Sequence, residues 1–187
     1  ATESEFAPFE FKSLVNGKDT LVGADIELAK AIGEKLGVKV EFSVMSFDNV
    51  LANVQSGKAD IAIAGISVTD ERKKVYDFSD SYYTSENVVI VKKDKVNDYT
   101  STDSLAKQTV GTQKGSVQET VAKKQISKAS VVSLASNGEM INELKSGQLQ
   151  AVVLEKAIAE GYIAQNDDLT LANFNLKSDG TDAYAVA

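Results

Sequence analysis

The feature that most constrains this 187-residue chain is a repeat spaced ninety positions apart. Val50-Leu51-x-x-Val54-Gln55-Ser56-Gly57-Lys58-Ala59-Asp60-Ile61-Ala62 matches Met140-Ile141-x-x-Leu144-Lys145-Ser146-Gly147-Gln148-Leu149-Gln150-Ala151-Val152. Each copy reads as an amphipathic helix, a Ser-Gly stop and a short apolar run of buried-strand type. Helix, glycine and strand often follow one another. These two copies carry more weight because they flank a change in composition. Val88–Val91 is apolar, and the chain then turns charged and polar from Lys92 to Asp103, as at a domain boundary. The repeat therefore predicts two α/β lobes of like build. The same spacing sets Gly65 opposite Glu155, each at the carboxyl end of an equivalent strand, where open α/β sheets bind ligands.

Composition narrows the function. The net charge is −7, whereas nucleic-acid binding needs a basic face to displace counterions. The chain has no Cys and no His. Disulfides and thiolate chemistry are thus excluded, and the usual general base and commonest metal ligand are missing. No cofactor and no metal site are expected. Apolar residues make up 43% and charged residues 25%, as in ordinary globular proteins. No apolar window is long enough for a membrane helix, and the charged N-terminus does not resemble a signal peptide.

The chemically richest stretch is Asp60–Tyr83, DIAIAGISVTDERKKVYDFSDSYY. Asp60–Ala64 predicts a buried strand. Gly65-Ile66-Ser67-Val68-Thr69 is a small-residue turn where backbone can come close to a ligand. Thr69 is placed as the N-cap of a helical turn carrying Arg72. A strand end, free amides and a guanidinium suit a carboxylate, because the Arg fork makes two parallel bonds to two oxygens.

Other elements follow from pattern. Asn16-Gly17-Lys18-Asp19 predicts a hairpin turn. A helix is expected from Ala24 to Leu36, with Asp25 as candidate cap and Gly37 as stop. Val38–Val44 reads as a strand and Ser46–Ser56 as a helix, with Phe47 at the turn between them. Phe47 and Phe6 are equally compatible with ordinary core aromatics. Beyond the boundary, a short helix near Thr102–Lys107 and a strand at Thr109–Gly111 lead into Gln113-Lys114-Gly115-Ser116. Ser116 and Glu119 have capping-box spacing, and a helix start offers amides and partial positive charge to an anion. An ordinary strand–loop–helix connection has the same sequence look. Strands at Ser130–Leu134, Ala151–Leu154 and Leu169–Leu176 alternate with helices at Asn137–Ser146 and Lys156–Gln165. Asp182–Ala187 reads as a last strand.

The segment GISVTDERKKVYDFSDSYY resembles the signature of bacterial extracellular amino-acid-binding proteins, the receptors of ABC importers for glutamine, histidine or basic amino acids. The likeness runs along the whole chain. It implies the type II periplasmic-binding-protein-like fold. In that fold two α/β lobes, each a mostly parallel sheet flanked by helices, are joined by two crossing strands. Lobe 1 is then residues 1–91 with 182–187, and lobe 2 is residues 92–181. A further strand and helices of lobe 1 are missing by comparison with the family, so the chain is expected to be truncated at its C-terminus.

The resemblance also implies a ligand site. Arg72, with Ser67 and the backbone at Ala64 and Gly65, holds the α-carboxylate. Gly115 and Ser116 in the G-x-x-x-G-[ST] loop add donors. Glu155, with the Gly65 carbonyl, accepts the α-ammonium. Phe6 and Phe47 flank the ligand's side chain, and Glu3 and Gln113 read its polar end. Three positions depart from the common pattern: Glu3 and Glu155 stand where Asp is more frequent, and Ala24 replaces an aromatic. The implied function is capture of a free polar amino acid, glutamine or a basic one, between two lobes that close on it. The implied partners are the membrane subunits of an importer. The protein is expected to be a monomer outside the cytoplasm, periplasmic or a cell-surface lipoprotein. Two rivals share the clamp: a dehydratase on the same fold, and the ligand-sensing domain of a membrane receptor.

Overall fold

The computed structural model describes residues 1–187. In chain order its elements are β1 (Glu5–Phe6), β2 (Glu10–Val15), β3 (Lys18–Val22), α1 (Ala24–Leu36), α2 (Phe47–Gln55), α3 (Asp70–Lys73), β4 (Tyr83–Thr84) and β5 (Asn87–Lys92). They continue with β6 (Thr109–Gln113), α4 (Val117–Gln125), β7 (Ser130–Leu134), α5 (Asn137–Ser146), β8 (Ala151–Glu155), α6 (Lys156–Gln165), β9 (Leu169–Leu171) and β10 (Ala183–Tyr184). The chain divides into two units, Ala1–Thr84 with Ala183–Ala187, and Ser85–Asp182. The composition change at Val91 had placed the first crossing later. β5 belongs to the second unit because it forms ladders with β8 and β9 there.

In the first unit, β1, β2 and β3 form an antiparallel sheet. Asn16 and Gly17 turn β2 into β3 with φ of 50° and 74°, the left-handed pair that matches strand twist. Helix α1 stops at Gly37 with φ 70°. A small core gathers Val50, Ala62, Ala64 and Ile66, with Met45, Phe47, Leu51, Val54 and Phe78 packed against it. The strands expected at Val38–Val44 and Asp60–Ala64 are not regular ladders. Pairing there consists of a Thr2–Val44 bridge, a reciprocal pair of backbone bonds between Ala62 and Ala187, and bonds that tie Ile61 and Ile63 to Ala1. Burial at Ala62–Ile66 gives the apolar run its strand-like look. β10 is likewise shorter than the strand expected at Asp182–Ala187, and pairs antiparallel with β4.

The second unit holds a five-stranded sheet in the order β7-β6-β8-β5-β9. β7, β6 and β8 run parallel, whereas β5 and β9 join antiparallel. Every residue of β8 is buried, which explains its continuous apolar run: a strand covered on both faces has no solvent side to alternate with. On one face Val89, Val91, Val110, Ala151 and Val153 pack with Val121, Ala122 and Ile126 of the α4 region. At Gly111 of β6 a Cβ would lie 2.5 Å from Leu149 Cδ1, so glycine lets the chain after α5 press onto the sheet. The repeat is seen in both units: α2 and α5 are each followed by a left-handed glycine, Gly57 at 71° and Gly147 at 83°.

Candidate functional site

In the first unit the site begins where buried chain emerges at Ala64–Ser67. Gly65 has φ +52°, and a Cβ there would meet Phe6 Cε1 at 2.5 Å. Glycine is therefore required twice, by backbone conformation and by the ring lying on it. Phe6 is buried and packs against Phe9 and Tyr184 at centroid distances of 5.9 and 6.4 Å. It is thus a core aromatic and a cover for Gly65 at once.

Thr69 caps α3 as expected, its Oγ1 accepting the Arg72 amide at 3.1 Å. The cap sets the direction of the short helix and hence of Arg72. The guanidinium Nη1 donates to the Ser67 carbonyl at 2.7 Å, and Cζ stands 5.8 Å from the centre of the Phe47 ring. A cation over an aromatic face is attracted by the ring quadrupole, so Phe47 supports Arg72. Ser67 is itself buried. Glu3 is buried too, and its carboxylate accepts the Glu5 amide. Burial, the largest influence, raises the Glu3 carboxyl to about 7.

In the second unit β6 ends at Gln113, and Lys114–Ser116 lead into α4. Ser116 is the N-cap and accepts from the Glu119 amide; its hydroxyl donates to the Gln113 carbonyl at 2.7 Å. The reciprocal arm departs from a standard capping box: Glu119 accepts from Gly115 N–H at 3.1 Å. Gln113 is buried, and its Nε2 has no hydrogen-bond partner within the protein. Such a group is costly to bury unless something else satisfies it.

Glu155 closes β8, directly alongside Asn87 of β5 in the ladder. It stands at the N-cap of α6 but makes no side-chain cap bond, and it is buried. Its Oε1 instead accepts from Gln118 Nε2 at 2.7 Å, and the same nitrogen lies 2.7 Å from Asn87 Oδ1. Gln118 thus fixes an acid that neither caps a helix nor faces water.

Gly65 and Phe6 touch, Ser67, Arg72 and Phe47 form one group, and Gln113, Gly115 and Ser116 share one loop. Gln118, Asn87, Asp25 and Tyr82 went unremarked as site neighbours in the sequence. Asp25 was expected to cap α1, yet the cap position is Gly23 with no side-chain bond. Its Oδ2 accepts the Gly65 amide and the Tyr82 hydroxyl, each at 2.9 Å. The available signal for Gln118 was its position in the first turn of α4, one turn from the loop glycine.

The chain is similar to several known proteins. The profile of the family described as bacterial extracellular solute-binding proteins, family 3, matches residues 1–175. The arginine-binding extracellular protein ArtP of Bacillus subtilis is 36% identical over 170 residues, covering 90% of this chain and 64% of ArtP. The chain thus spans a little under two thirds of that relative. A solved structure of the Streptococcus pneumoniae amino acid ABC transporter substrate-binding protein AbpA bound to L-arginine has a TM-score of 0.95 and 54% identity; the match covers 99% of this chain and 78% of AbpA. An ancestral arginine-binding protein bound to glutamine has a TM-score of 0.89 and 42% identity, covering 100% of this chain and 80% of that one.

Proposed function

The chain belongs to family 3 of the bacterial extracellular solute-binding proteins, and from that premise we propose that it captures a free basic amino acid, arginine first, for an ABC importer. The observation that carries this reading is the Arg72 group. A guanidinium held by the Ser67 carbonyl and backed by Phe47 has its orientation fixed before a carboxylate arrives. Preorganisation of this kind lowers the cost of binding.

In this reading Arg72, Ser67 and the backbone at Ala64 and Gly65 take the α-carboxylate, with Gly115 and Ser116 as further donors. Glu155, oriented by Gln118, takes the α-ammonium. Glu3 and Gln113 read the far end of the side chain, with Phe6 and Phe47 as apolar walls. A buried acid at Glu3 favours a guanidinium. The unpartnered Gln113 Nε2 needs an acceptor, and a ligand amide or a bound water would provide one. Glutamine is the second ligand, favoured by that amide nitrogen and by the glutamine-bound ancestral relative.

No chemical step is called for. The relatives reported above are named as binding proteins of amino acids. No helix is long and apolar enough to cross a membrane. The importer's membrane subunits are the proposed partners, and a monomer tethered at the cell surface or free in the periplasm is the proposed state.

Calorimetric titration with arginine tests the reading. Binding to the parent chain is expected. Arg72→Ala should weaken it by about 2–5 kcal/mol, the usual cost of removing one member of a desolvated charge pair. Equal affinity in the two proteins would remove Arg72 from the site, and no binding of arginine or glutamine by the parent would overturn the function.

A further inference from the structure

One face of the sheet in the second unit carries an apolar layer that ends in three polar side chains. Val89 and Val91 of β5 share a core with Ala151 and Val153 of β8 and with Val121 and Ala122 of α4. Side chains alternate along a strand, so Asn87 and Glu155 stand on this same face, next in line after Val89 and Val153. They are directly opposite each other in the antiparallel ladder. Gln118 lies one helical turn before Val121 and Ala122 and ends the inward stripe of α4. Gln118 and Glu155 are buried. Apolar residues at the three positions would simply continue the core, whereas polar ones are costly to bury unless their hydrogen-bonding groups are matched. The Gln118 amide nitrogen has two hydrogens and two acceptors, Asn87 Oδ1 and Glu155 Oε1, each at 2.7 Å. Turned over, the amide would set its oxygen against both, with no donor among the three. Asn87 thus helps to fix which way round Gln118 sits, and Gln118 presents a donor to Glu155.

We propose that Asn87 and Gln118 are positioning residues for the Glu155 carboxylate, and that through it they make an α-ammonium a requirement for binding. A carboxylate with one oxygen tied to a side-chain amide is ordered before the ligand arrives, which lowers the cost of binding. An ammonium brings three donors and no acceptor, and so matches an acid held in this way. A ligand of the same length without that group leaves a buried acid unmatched, a mismatch that polar sites reject strongly. The requirement for an ammonium rests on the reading that Glu155 meets it; the bonds from Gln118 to Asn87 and Glu155 do not.

Titration with arginine and with δ-guanidinovaleric acid, which is arginine without its α-ammonium, tests the role. The parent should bind arginine at least about a hundredfold more tightly than the analogue. Asn87→Leu, which removes the acceptor, should narrow that ratio about fivefold, and Gln118→Leu at least about tenfold, by weakening arginine and leaving the analogue unmoved. Asn87→Asp keeps an acceptor toward Gln118 and should hold the ratio at or above that of the parent; a ratio as low as in Asn87→Leu would count against the acceptor role. Equal losses for the two ligands, or an unmoved ratio in folded Gln118→Leu, would overturn the proposal while leaving the proposed function standing. If Gln118→Leu does not fold, NMR of the Gln118 side-chain amide serves. Both of its hydrogens should exchange slowly with solvent in the parent, and one should exchange faster in Asn87→Leu; two rapidly exchanging hydrogens in the parent would overturn the positioning of Glu155. A parent that binds no amino acid would overturn the functional reading and the ammonium requirement together, and the amide spectrum would still decide whether Gln118 holds Glu155.

Discussion

Glu3 shows how far one residue's environment decides its chemistry. An exposed glutamate is ionised at neutral pH, but burial raises this carboxyl to about 7. The folded state then binds the proton more tightly than the unfolded state. The protonated form favours folding, and that contribution is present below the ordinary glutamate range and is lost as pH rises toward 7, by about 3 kcal/mol in all. Ligand binding should run the opposite way. A guanidinium needs the carboxylate, so arginine affinity should be about tenfold weaker at about pH 6 than at about pH 8. Glu3→Gln should flatten that profile and cost arginine more affinity than glutamine. Calorimetry across the pH range reads both, and a flat profile in the parent would separate Glu3 from the ligand's charge. The position of Glu3 was legible through the resemblance; its raised proton affinity was not, since no local pattern reports burial.

At the scale of the element, the start of α4 shows what a short motif can and cannot say. Ser-x-x-Glu correctly gave the N-cap at Ser116. It did not give the destination of the Glu119 carboxylate, which takes the Gly115 amide because the loop turns through Gly115 at φ 78°. Ser116→Ala removes the acceptor for Glu119 and the donor to Gln113. Loss of an N-cap costs about 1 kcal/mol, so a lowered chemical-denaturation midpoint with unchanged slope is expected. If Ser116 also serves the ligand, arginine affinity should fall at the same time; unchanged affinity would confine Ser116 to the cap. Helices were read well here because their signals are local: α5 and α6 have the bounds expected, and α5 stops at Gly147. The strand segments of the first unit were over-read, because a ladder depends on a partner distant in sequence, as Val44 depends on Thr2.

For the whole molecule, a receptor for a small zwitterion should be stabilised by its ligand and little changed by others. Arginine at about one hundred times its dissociation constant should add about 2.7 kcal/mol to stability. Among the twenty amino acids in a melting screen, arginine should give the largest upward shift in melting temperature, with glutamine and the other basic amino acids behind it. The largest shift from an acidic amino acid would instead point to Lys114 as the side-chain reader. Membership of the solute-binding family was legible in the stretch from Gly65 to Tyr83, because that segment combines backbone conformation, cap and guanidinium within a few residues. Assignment of β5 to the second unit was not, because composition marks where a chain becomes polar and not which strands it pairs with.

By itself the sequence determined most helix bounds, the glycine stops after α1, α2 and α5, the Arg72 cap and the α/β plan of the second unit. Each of these is set by side chains within a few positions of one another. Only the tertiary structure decided that Asp25 braces Gly65 instead of capping α1, and that Gln118 holds Glu155. Those relations join residues far apart along the chain, and their energies come from the loss of solvent around them, which folding alone creates.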